Sequence, residues 1–151
     1  MESDYWGRLR DKIKEAASDT GFAAHIMRVE NMVNAGMFDT NICHRGYECW
    51  LEGKTLPSFP KKAGTLIRVG LRESQLSFAI KRVLTGGRLF VWCFIKQSND
   101  FGVGSGWYLF RLSDVSQVNA LFNGVTQDYA LSHWHKRPYD VAASLLEQMR
   151  T

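Results

Sequence analysis

The chain has little of what marks a secreted, membrane or zinc-finger protein. Its 151 residues include only three cysteines and three prolines. Cys43, Cys49 and Cys93 form no even disulfide framework and no CxxC pair, which is typical of a reducing compartment, and adding His44 does not give zinc-finger spacing. No apolar run approaches the roughly 20 residues that span a bilayer, and the first residues lack the apolar stretch of a signal peptide. We therefore expect a cytoplasmic protein with no membrane partner.

Length and composition predict one folded domain over residues 1–151. The hydrophobic fraction is 45%, enough for a proper core, and no internal repeat or linker interrupts the chain. The formal net charge is +4, which is only suggestive of an anionic partner. The distribution of charge says more, because the basic excess is concentrated between residues 61 and 88, where Glu73 is the one acid.

This basic segment has the composition of a surface that grips a nucleic-acid backbone. The residues expected to contact phosphates are Lys61, Lys62, Arg68, Arg72, Lys81 and Arg82. The alternative is a solvated helix face that happens to be basic.

Hydrophobic periodicity predicts an α/β protein with a mixed central β-sheet flanked by helices. Helices are expected over Asp4–Ala17, Arg72–Leu84, Ser113 to about Phe122, and Pro138–Met149. Strands are expected over His25–Val29, Thr40–Cys43, Tyr47–Lys54, Leu66–Val69, Leu89–Ile95 and Trp107–Arg111, with a loop over residues 57–64. The apolar run Leu89–Ile95 is typical of a strand buried on both faces. Trp134 is expected to anchor the segment between His133 and His135 in the core.

The predicted hairpin over residues 40–54 brings two carboxylates and a lysine close to one another. If the turn lies at Arg45 and Gly46, the residue numbers of each cross-strand pair add up to 91. Asp39 then lies opposite Glu52. Like charges held across a strand pair repel, and a divalent cation such as Mg²⁺ or Mn²⁺ offsets that repulsion. Strand side chains alternate, so Lys54 shares a face with Glu52.

Two carboxylates and a lysine are the groups that metal-assisted phosphodiester hydrolysis needs: acids to hold the metal, and a cation beside the attacking water. The spacing alone is a weak signal. An exposed hairpin with solvated Glu52 and Lys54, and with Asp39 as a turn residue, is the alternative interpretation.

Four segments, 28–31 (RVEN), 36–41 (GMFDTN), 50–54 (WLEGK) and 72–75 (RESQ), follow one another in an order that resembles the PD-(D/E)xK nuclease superfamily. Within it, the chain is most similar to small phage-type nucleases related to VRR-NUC domains and Holliday-junction resolvases. The resemblance implies a restriction-endonuclease-like core and a phage-encoded, Mg²⁺- or Mn²⁺-dependent endonuclease that acts on branched or structured DNA or nicks duplexes. By analogy with the related resolvases, a homodimer is expected. It assigns catalysis to Asp39, Glu52, Lys54 and Gln75, and metal binding to Asp39, Glu52 and Glu30.

Two positions depart from the family pattern. Phe38 stands where proline is usual, and Gly53 stands where a larger apolar residue is usual. We expect Gly53 to leave the opposite face short of a packing side chain and to loosen the strand. Two other functions therefore stay open: a weakened nuclease scaffold that binds nucleic acid or protein, and a phage protein that modulates a host factor through its aromatic surface.

Overall fold

A six-stranded sheet lies at the centre of the protein, and helices cover both of its faces. The computed structural model describes residues 2–29 and 36–151. The helices are α1 (Glu2–Asp19), α2 (Glu73–Leu84), α3 (Val115–Asn123), α4 (Gln127–Leu131) and α5 (Pro138–Gln148). The strands are β1 (Ala24–Arg28), β2 (Thr40–His44), β3 (Tyr47–Ser58), β4 (Leu89–Gln97), β5 (Gly106–Leu112) and β6 (Trp134–His135). This confirms the α/β architecture. Within the described residues, no helix has the length and apolar character to cross a membrane.

The strands lie in sequence order, from β1 at one edge to β6 at the other. Every neighbouring pair is antiparallel except β3 and β4, which are parallel. Parallel strands need a long crossover, usually helical, and α2 supplies it here. The predicted burial of β4 on both faces is confirmed, since Leu89 through Cys93 are all buried.

The sheet separates two hydrophobic cores. On one face, Leu9 and Ile13 of α1 pack with Leu51, Trp92 and Leu145. The other face packs against α2 and α3, through residues that include Val91, Ala79, Val118 and Leu121. Strand β3 alternates between them: Cys49 and Leu51 belong to the α1/α5 core, whereas Trp50 and Leu56 pack against the α2/α3 core.

The predicted strand Leu66–Val69 is wrong. Its only ladder-type contact among the described residues is a bridge between Ile67 and Val125, so the segment lies outside the sheet. The period-two pattern that predicted a strand is nevertheless present: Ile67, Val69 and Leu71 are buried, and the residues between them are exposed. Alternating burial arises because the extended segment lies on the α2/α3 core with one side to water.

The predicted loop over residues 57–64 begins too early. Strand β3 continues to Ser58, which pairs with Gln97 of β4. Pairing with β2 ends earlier, at Leu51. Beyond Leu51 no described strand pairs with this side of β3, and a strand with one free side tolerates Pro57, since proline only lacks the N–H. This free length of β3 carries Glu52 and Lys54.

Trp134 is not a core anchor, because 40% of it is exposed. Its indole N–H donates to the carbonyl of Ser105 at 2.9 Å. A Cβ on Gly106 would lie 2.5 Å from the same ring nitrogen. Trp134 therefore lies on the short edge strand β6 and covers Gly106, the first residue of β5. The other side of its ring is in water.

Candidate active site

The β2–β3 hairpin has the register that the sequence predicts. Arg45 and Gly46 have φ values of 56° and 84°, as the two-residue turn that matches strand twist requires. Ile42 pairs with Cys49, and Thr40 pairs with Leu51. The next position outward on each strand is an acid, Asp39 or Glu52.

Asp39 and Glu52 are in contact, as the predicted register requires, through the backbone of one and the carboxylate of the other. The backbone N–H of Asp39 donates to Oε1 of Glu52 at 3.3 Å. Their exposure differs, since Glu52 is 6% exposed as a residue and the Asp39 side chain is 36% exposed. One carboxylate is therefore enclosed and the other faces solvent.

Lys54 lies on the same face of β3 as Glu52, as the alternation of side chains predicts. Its Nζ is 4.0 Å from Oε2 of Glu52, and the two side chains are only 13% and 8% exposed. Charges enclosed in this way interact more strongly than charges in water, since solvent screens them less. The strand thus carries an enclosed ion pair next to Asp39, whose side chain is partly exposed.

Two residues that the sequence analysis did not select also contact Asp39. The hydroxyl of Thr40 donates to Oδ1 of Asp39 at 2.9 Å. Nη2 of Arg28 is 3.7 Å from Oδ2. A signal for Arg28 was available, because β1 pairs with β2 so that Arg28 lies opposite Thr40. Pairing the predicted strand 25–29 with the hairpin would have placed this arginine at the acids.

Helix α2 begins beside the segment that leads to Asp39. A Cβ on Gly36 would lie 2.3 Å from the backbone of Ser74, so only glycine fits there, and its φ of +94° also favours glycine. Two residues on, Phe38 is fully buried and packs on Phe78 of α2, with ring centroids 5.3 Å apart. A large aromatic ring at this position fixes the chain before the acid by packing, where proline would do so by backbone stiffness.

Gln75 is in the first turn of α2, as predicted, and is 2% exposed. Its Oε1 accepts a hydrogen bond from the backbone N–H of Arg72 at 3.0 Å. Since that N–H precedes the helix, this contact caps the helix start. Any action of Gln75 on a water or a phosphate therefore falls to its amide N–H₂ group, and its catalytic role stays a prediction.

Gly53 does not leave a gap, contrary to expectation. A Cβ at this position would lie 2.2 Å from the indole of Trp92, which is the paired residue on β4. The tryptophan occupies the space that a side chain at residue 53 would need. The volume that a larger residue would need at position 53 is therefore already filled by the tryptophan.

The donor set of the two acids fits a hard divalent cation. Mg²⁺ commonly takes one or two carboxylates and keeps several waters, and Asp39 and Glu52 are two acidic residues in contact through the Asp39 backbone N–H and the Glu52 carboxylate. Glu30, the predicted third acid, lies outside the described residues. Within the part of the chain that the structure does describe, no group of three or more histidine, cysteine, aspartate or glutamate residues is arranged to hold a metal.

All six predicted phosphate contacts are exposed: Lys61, Lys62, Arg68, Arg72, Lys81 and Arg82. The loop after β3 is held by Gln127, whose amide donates to the carbonyls of Lys62 and Thr65, both at 3.0 Å. Arg82 lies over the ring of Trp50 at 5.6 Å. The segments that carry these cations pack against the α2/α3 core.

No protein-family model matches the chain, and no curated protein sequence matches it either.

Proposed function

We propose that the protein is a metal-dependent DNA endonuclease that hydrolyses phosphodiester bonds. The observation that carries the proposal is the enclosed carboxylate of Glu52, which contacts the backbone of Asp39 on one side and Lys54 on the other. Enclosing an acid and a base beside a second, exposed acid costs desolvation energy. An ionisable group that is enclosed beside a specific charge partner is a candidate for a functional site.

Asp39 and Glu52 are the residues that would hold Mg²⁺ or Mn²⁺ in this proposal. When bound, the metal would supply a nucleophilic water at neutral pH and would stabilise charge that develops on the phosphate. Lys54 contributes a fixed positive charge next to Glu52, which favours developing negative charge in a water-poor environment. Thr40 and Arg28 orient the Asp39 carboxylate through its two oxygens.

DNA is the proposed substrate, in branched or structured form or as a duplex that is nicked. The support is the set of exposed cations on the α2 side of the sheet. If all six contact phosphates, the slope of log K against log salt concentration should be about −5. A slope near zero would contradict this use of the basic surface.

The proposed location is the cytoplasm, and the proposed assembly is a homodimer. The cysteine usage favours the cytoplasm, which is the host cytoplasm if the protein is phage-encoded. A homodimer follows from the resemblance to junction resolvases, and sedimentation of the purified protein measures it.

The test is incubation of the protein with supercoiled plasmid and with a synthetic four-way junction, in EDTA, Mg²⁺ and Mn²⁺. Asp39→Asn keeps the shape of the side chain and removes its charge. We expect metal-dependent cutting that this variant slows by at least about 100-fold, because the metal contributes several kcal/mol and each 1.36 kcal/mol is tenfold in rate.

Asp100→Asn, in the exposed turn between β4 and β5, is the matched control and should cut normally. No cutting by the wild type, together with retained binding to both DNAs, would replace the nuclease with a binding scaffold. Neither cutting nor binding would favour a protein partner and contradict both DNA functions.

A further inference from the structure

Arg28 lies at the open edge of the acid pair. It is the last residue of β1, the edge strand of the sheet. Its guanidinium is 3.7 Å from Oδ2 of Asp39, and the Arg28 side chain is 52% exposed. The other Asp39 oxygen, Oδ1, accepts from Thr40. Arg28 and Thr40 therefore contact different oxygens of the Asp39 carboxylate.

Arg28 and Lys54 are the two cations in ion pairs with these acids among the described residues. Lys54 is nearly enclosed, with only 13% of its side chain exposed. Arg28 is half in solvent, and its long side chain starts from a strand with no outer neighbour among the described residues. Only Arg28 is therefore able to exchange its partner at little cost.

We propose that Arg28 has two partners in turn: the Asp39 carboxylate in the metal-free protein, and a DNA phosphate once a divalent cation binds that carboxylate. This inference rests on the proposed nuclease function. The guanidinium carries its donors in a planar fork that matches phosphate oxygens as well as it matches carboxylate. A cation bound at Asp39 would repel Arg28. A DNA phosphate near that cation would offer the guanidinium a new partner.

The first measurement is Mn²⁺ affinity by calorimetry, without DNA, for the wild type, Arg28→Gln and Arg28→Lys. Exposed ion pairs are worth about 0.2–1 kcal/mol, which corresponds to a change of roughly 1.5- to 5-fold in Kd. Arg28→Gln should bind Mn²⁺ more tightly by this factor, because it no longer competes for Asp39. Arg28→Lys keeps the charge and should resemble the wild type.

The second measurement is affinity for a phosphorothioate duplex in EDTA and in Mn²⁺, with a gel run in parallel to check that the duplex stays intact. Arg28→Gln should weaken binding by less than twofold in EDTA, where Arg28 is held by Asp39. In Mn²⁺ it should weaken binding several-fold and reduce the salt slope by about 1. Arg28→Lys should lose part of this metal-dependent affinity, since it lacks the fork.

Arg10→Gln removes an exposed cation on α1 whose recorded ion pair is with Asp11, and it should change neither measurement. The proposal is overturned if Arg28→Gln binds Mn²⁺ no more tightly than Arg10→Gln, or if it weakens DNA binding equally in EDTA and Mn²⁺. Asp39→Asn separates the two levels of inference. If Asp39→Asn leaves Mn²⁺ affinity intact, the metal centre itself is wrong. If it abolishes Mn²⁺ binding while Arg28→Gln has no effect, only the role of Arg28 is wrong.

Discussion

The two faces of β3 differ sharply although their residues alternate along one strand. On the α1/α5 face, Leu51 is fully buried and Gly53 lies under the indole of Trp92. On the other face, Glu52 and Lys54 form an enclosed ion pair. The first face is hydrophobic and densely packed. The second face carries two charged side chains that are nearly as buried as the hydrophobic ones.

This difference shows how a short strand segment is able to position charged groups. Dense packing leaves a residue few alternative positions, so the contact between Gly53 and Trp92 fixes the backbone from behind. Functional groups on rigid elements keep their geometry better than groups on loops. We therefore expect changes on the hydrophobic face to act mainly on stability, and changes on the charged face to act on both stability and metal binding.

The largest effect should come from Trp92→Ala. Removing a buried tryptophan costs about 3–5 kcal/mol of unfolding free energy, and here it would also uncover Gly53. Gly53→Ala should cost about 1–3 kcal/mol, because its Cβ overlaps the ring. In the double variant the added methyl meets no ring, so urea unfolding should give a combined loss smaller than the sum of the single losses.

Gly7→Ala is the control for these glycine effects. Gly7 is inside α1, and a Cβ there would meet nothing within 4 Å. Alanine should therefore stabilise the protein by about 0.5–1 kcal/mol. If the losses of unfolding free energy at Gly53 and Trp92 were additive, the indole of Trp92 would not be what excludes a side chain at position 53.

A smaller loss is expected from Lys54→Met on the charged face. Breaking a buried pair by removing one partner costs about 3–5 kcal/mol, and we expect the low end of this range because the N–H of Asp39 still donates to Glu52. Adding Glu52→Gln should recover part of the loss. The control is Lys12→Met, which breaks an exposed pair with Glu15 on α1 and should cost about 0.5 kcal/mol or less. Equal losses at the two lysines would mean that burial gives the pair at residues 52 and 54 no added strength.

The hairpin was predictable because its information is local. The turn at Arg45 and Gly46 fixes the register, and the register places Asp39 at Glu52. The predicted helices over Asp4–Ala17 and Arg72–Leu84 are also confirmed within a few residues of their ends, since their apolar residues repeat at helical spacing.

What the sequence could not show depends on neighbours far apart in the chain. The indole of Trp92 explains Gly53, but only the parallel pairing of β3 with β4 brings the two together. The segment Leu66–Val69 has the alternation of a strand, and only its tertiary position separates a sheet strand from an extended stretch on the core. Arg28 is an intermediate case, because its contact with Asp39 follows once the predicted strand over residues 25–29 is paired with the hairpin.

The smallest effect should come from Thr40→Val, which tests how Asp39 is held between the two faces. Thr40 is 2% exposed, it lies opposite Leu51 of the hydrophobic face, and its hydroxyl donates to the Asp39 carboxylate. Losing this hydrogen bond should cost about 1 kcal/mol in urea unfolding. Thr40→Ser retains the donor and serves as the control. If the hydroxyl orients Asp39, Thr40→Val should also weaken Mn²⁺ binding while Thr40→Ser does not. A stability loss with unchanged Mn²⁺ affinity would show that the hydrogen bond serves the fold alone.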